Sequence, residues 1–183
     1  HVWHGRGSRF VRLHMLLVEP TDERPCFSIV TSGMSDVEMR TPKAAREWRR
    51  AELMLNLPEE WPIDEDDGAW PLKWLETLAA FPHENRTWIG LGHTLPNGDP
   101  PEPLAEDTAL CALLVTPPYI AGPEFARLEV ARHERIYFHG VMPIYREELE
   151  LVESEGAPVL DARFVAADIV DIVDLARENV AVA

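Results

Sequence analysis

Short apolar stretches, several closed by proline or glycine, dominate this chain, and one segment keeps a helical period more clearly than the rest. Phe10–Val18 alternates and then runs apolar through Met15, Leu16, Leu17 and Val18, until Glu19-Pro20 stops it. Period-two alternation reads as a strand. Phe27–Thr31 is β-branched and alternating, so a second strand completes a hairpin across the polar turn Thr21–Pro25. Ser32–Ser35 is a tight glycine loop and Thr41–Arg50 a charged linker. Ala51–Leu57 is a third strand ended by Pro58, and Asp64–Gly68 an acidic loop.

Trp70–Phe81 is the clear helix. Pro71 suits its first turn, where the missing N–H costs nothing. Trp74, Leu75, Leu78 and Phe81 share one face, and Pro82 is expected to end the helix. Thr87–Leu91 reads as a strand and Gly92–Pro103 as a long loop. The apolar run Leu110–Val115 fits a central strand. Arg127–Val130 and Arg135–His139 form a second hairpin, continued by Val141–Ile144. Arg146–Glu155 is helical, with Leu149 and Val152 inward and Gly156 as its stop. A short helix covers Leu160–Ala166. Runs of strands with a few helices on one side argue for an α+β fold, a mostly antiparallel mixed sheet covered by helices. The expected division is one domain over 1–167 and a C-terminal tail over 168–183 that packs partly upon it.

The 32 acidic residues outweigh 17 basic ones, for a formal net charge of -15. A field of that sign repels phosphate backbones and anionic lipid, which argues against nucleic acid and membrane partners and favours a basic peptide or protein face. The plainer reading is that acidity keeps the protein soluble. Cys26 and Cys111 sit far apart in apolar surroundings, with no metal or redox spacing, and suit a reducing cytoplasm. No stretch approaches a membrane span.

The densest polar string is Trp88–Pro101. Asn97-Gly98 is a turn dipeptide and the flanking prolines stiffen the loop, a reasonable place for a binding site. His93 and Asp99 could act as an acid/base pair in a small-molecule-binding protein or hydrolase. The alternative is that Asp99 bonds turn amides while His93 supports the loop. Gly90-Leu91-Gly92 lacks the third glycine of a dinucleotide site, and prolines follow where a helix should begin. None of the seven histidines (1, 4, 14, 83, 93, 133, 139) has metal-ligand spacing, although His1 and His4 could bind metal adventitiously. The expectation is no cofactor, no metal and no catalytic residue.

Several ordered strings resemble one family. They are Thr31–Asp36, Ala51–Met54, Trp61-Pro62, the helix Trp70–Phe81, Thr87–Gly90, Gly92–Pro100, and Phe138–Ile144 followed by Glu147-Glu148-Leu149. Together they resemble the Suppressor of fused domain in its bacterial, single-domain form, from about Val11 to about Phe164. The resemblance implies a mixed α/β domain without known catalytic activity. It also implies that proteins are the partners: animal members bind a short extended segment of a transcription factor, and many bacterial members look like immunity proteins that neutralise toxin domains. The animal pattern has an acidic residue where Gly92 stands here, and the animal second domain is missing, so no animal ligand is carried over. The sequence therefore points to a non-enzymatic module. It would bind another protein or an extended basic peptide through His93, Asn97, Gly98, Asp99, Glu102, Glu106 and Asp107. Its oligomeric state is left open.

Overall fold

The computed structural model describes residues 2–4, 9–132 and 134–182. His1, His133 and the chain end at 183 lie outside them. Among the described residues eight strands form one sheet: β1 (Val2–His4), β2 (His14–Val18), β3 (Cys26–Ser32), β4 (Ala51–Pro58), β5 (Thr94–Pro96), β6 (Ala112–Thr116), β7 (Arg127–Ala131) and β8 (Glu134–Ile144). Their order is β1-β2-β3-β4-β8-β6-β5, and β7 pairs with β8 off this path. All pairings are antiparallel except β4 with β8. Both expected hairpins form.

The helices are α1 (Trp70–Glu84), α2 (Arg146–Glu155) and α3 (Ala157–Ala166). They cover both faces of the sheet, not one. Alternate residues of β6 and β8 divide between two apolar clusters. Leu113, Val115 and Val141 pack with Leu75, Leu78 and Ala79 of α1. Ala112, Leu114, Met142 and Ile144 pack with Leu149, Leu160 and Phe164 of α2 and α3. Two-sided helix cover explains why every residue of β6 is buried, and all of β4 but Pro58 is buried between α1 and the loop and tail segments that bond Glu52 and Asn56. Runs of this kind belong to strands with no solvent face.

Four local expectations are corrected. Lys43–Arg49 is a kinked 3-10 helix, not a bare linker. Helix α1 runs past Pro82 to Glu84, because Pro82 and His83 are buried and the Asn85 amide still reaches the Phe81 carbonyl. Residues 87–91 are not a strand. The neighbouring edge of β6 is instead taken by β5, inside the segment expected to be all loop.

Two buried carboxylates hold loops to this frame. Glu52 Oε1 accepts from the Gly33 and Ser35 amides, both at 3.0 Å, and from Ser35 Oγ at 2.6 Å. Its Oε2 accepts from Thr31 Oγ1 at 2.6 Å. The string Thr31–Ser35 is thus the cradle of a carboxylate on the adjacent strand. Gly33 is required there, since its φ is 107° and a Cβ would lie 2.1 Å from the Arg12 carbonyl oxygen. Glu148 of α2 receives Arg177 at 2.5 and 2.7 Å, beneath the rings of Tyr145 and Phe164. Beyond α3, Asn56 of β4 donates to Asp171 Oδ2 at 3.1 Å, and Val173 and Val180 are buried.

Candidate functional site

β5 is the last strand of the sheet, and β6 fixes which of its groups face out. The Val115 amide donates to the His93 carbonyl, and the Asn97 amide donates to the Cys111 carbonyl, both at 2.9 Å. With Leu95 opposite Leu113, residues 93, 95 and 97 bond toward β6. The Thr94 N–H and carbonyl, and the Pro96 carbonyl, therefore point to the open edge. Pro96 supplies no donor.

The entry to β5 is a tight turn. The His93 amide donates to the Gly90 carbonyl at 3.0 Å, and Gly92 has φ 81°. His93 meets the Trp88 ring edge-on at 4.4 Å, and Trp88 stacks on Trp48 at 6.3 Å. Burial holds the His93 imidazole below its usual pKa, and its hydrogen bond to the Trp88 main chain opposes that. On the same face of the sheet lies His139, 4% exposed, with no hydrogen-bond partner for Nε2. Burial, and then the positive charge of His93, push its pKa down to about 4.

The exit is held by Asn97, whose Nδ2 donates to the Pro103 carbonyl at 2.6 Å, while the Glu102 amide donates to the Asn97 carbonyl at 2.8 Å. Gly98 has φ 92° and is exposed, and Asp99, Glu102, Glu106 and Asp107 are all exposed on the β5–β6 loop. Asn97, Gly98 and the four carboxylates thus share one surface loop. His93 stands apart at the other end of β5. Among the described residues it shares no hydrogen bond with Asp99; its neighbour is Trp88.

A cavity of about 230 Å³ adjoins His93, lined also by Leu78, Phe81, Trp88 and Leu95. His93 is its one titratable lining residue. A wider cleft of about 790 Å³ lies between Trp61 and the segment Ala167–Glu178. Among the described residues no group of three or more His, Cys, Asp or Glu side chains could hold a metal ion. No helix among them is long and apolar enough to cross a membrane.

The string reading missed Trp48, which lies in the supposed linker, and did not join His139 to His93. Only the sheet register brings those two together. The alternation of β8 could have placed His139 on the α1 face, but not its distance from β5.

The family model described as "Suppressor of fused protein (SUFU)" matches residues 10–178. Three solved structures share the fold. A SUFU homologue from Neisseria gonorrhoeae FA 1090 has TM-score 0.72 at 19% identity, covering 98% of this chain and 86% of that one. A Sufu–Fu complex has TM-score 0.64 at 17% identity, covering 96% and 80%. Drosophila Suppressor of Fused has TM-score 0.51 at 15% identity, covering 78% and 36%. The comparison with curated proteins returned no match.

Proposed function

This chain belongs to the Suppressor of fused family, and we propose that it is a non-catalytic module that binds an extended, basic segment of another protein along the open edge of β5. One observation carries this reading: a terminal strand with outward N–H and carbonyl groups leads straight into a loop bearing Asp99, Glu102, Glu106 and Asp107. Backbone pairing would supply affinity, and side-chain pockets on alternate residues would supply selectivity. The net charge of -15 favours a cationic ligand.

The complex of the similar Sufu with Fu supports a protein as the partner class. The hydrolase alternative has less support, because the cavity at His93 is mostly apolar and offers no acid beside the imidazole. A reducing cytoplasm is the proposed setting, consistent with two free, buried cysteines. Capture of a basic toxin domain, an immunity role, is the form of this function in which binding is itself neutralisation.

The test uses an extended peptide selected from a random library on the intact protein. Its association should slow as salt rises, since exposed charges beyond about 10 Å are screened at ~0.1 M ionic strength. Neutralising Glu102, Glu106 and Asp107 together should lower the on-rate more than it raises the off-rate. Association indifferent to both changes would refute the electrostatic part of the reading.

A further inference from the structure

We propose that the free edge of β7 is a self-association surface, where two copies of this chain join into one continuous antiparallel sheet with Leu128 facing Leu128. All five β7 residues are exposed, and among the described residues the strand pairs only with β8. Leu128, paired with Ile136 in regular register, is 49% exposed, and Val130, at the irregularity beyond Glu129, is 47% exposed.

The register settles what the edge offers. The Tyr137 amide donates away from β7, to the Arg50 carbonyl, whereas the Phe138 amide donates to the Ala126 carbonyl. Residues 126 and 128 therefore bond toward β8. The main-chain groups of Arg127 and Glu129 turn outward, just before the irregularity that follows Glu129. An added antiparallel strand must pair through those two residues.

A second β7 can do so in three registers. Arg127 opposite Arg127, or Glu129 opposite Glu129, sets like charges directly across the ladder, which is destabilising. The third register sets Arg127 opposite Glu129 twice, with the Leu128 pair on the two-fold axis. The string Arg127-Leu128-Glu129 is thus its own complement when reversed, as an isologous contact demands. That self-complementarity selects a second copy over an unrelated strand. So short a contact falls well below the roughly 800 Å² per partner of a stable interface, so the dimer forms with rising concentration and is not permanent. The β5 edge lies elsewhere in the sheet, and this inference does not rest on its function.

Sedimentation equilibrium of the full chain over a concentration series tests the proposal. The weight-average mass should climb from the monomer toward twice that value. Arg127→Glu and Glu129→Arg should each hold the protein monomeric. An equimolar mixture of the two should dimerise, because the mixed pair has opposite charges at both positions. Arg127→Pro, which takes away an outward N–H and the paired charge but no bond to β8, should be monomeric with its circular dichroism unchanged. Wild-type protein that stays monomeric throughout, or two variants that fail to associate when mixed, would overturn the proposal.

Discussion

Protonating His139 should destabilise this protein from within. Its folded pKa is about 4 against an ordinary 6.5, so the unfolded chain binds the proton more readily in between. Stability from keeping this group neutral is complete above pH 6.5 and falls as pH drops toward 4. At one pKa unit per about 1.4 kcal/mol, lowering the pH from 7.5 to 5 should cost roughly 2 kcal/mol through this residue alone. His93 and His83, also shifted down by burial, add in the same direction. Asp171, shifted up by burial, works the other way. The comparison that isolates His139 is urea unfolding of the wild type and His139→Asn at several pH values. The variant should be less stable or equal at neutral pH, but its loss between pH 7.5 and 5 should be smaller by about 2 kcal/mol. Parallel pH profiles would refute the claim that His139 is buried in its neutral form.

Three further substitutions test the frame by chemical unfolding. Leu78→Ala, at a side chain 1% exposed against the sheet, should cost about 2–5 kcal/mol, and a negligible change would remove α1 from the core. Glu52→Ala strands the donors of Thr31, Gly33 and Ser35 and should cost on the order of 3 kcal/mol or more; a loss under about 1 kcal/mol would mean the cradle is hydrated. Arg177→Met leaves Glu148 charged and unpaired and should cost about 3–5 kcal/mol, with much of that recovered by adding Glu148→Gln. No recovery would mean that Arg177 acts through packing on Tyr145 and Phe164 instead.

Periodicity gave α1 and α2 because their apolar spacing is unambiguous, and Gly156 closes α2 as expected. It misread residues 87–91, since β-favouring residues say nothing about which segment takes the edge of β6. It also placed the helices on one face. The unbroken burial of β6 was visible as an apolar run, but that of β4 was not, because Glu52 and Asn56 looked like solvent-facing alternation. Their partners lie in Thr31–Ser35 and at Asp171, contacts that exist only after folding. The loop carrying Asp99 to Asp107 stood out through its turn dipeptide and prolines. That it leads away from the last strand of the sheet follows from the strand order, which no local pattern reports.

Amide hydrogen exchange with the selected basic peptide bound tests the central reading most directly. The Thr94 N–H points away from β6 and should exchange more slowly in the complex, as the peptide becomes the next strand. Residues Asp168–Glu178 along the wide cleft should be unaffected. Protection of that cleft, with Thr94 exchanging as fast as in the free protein, would contradict the account.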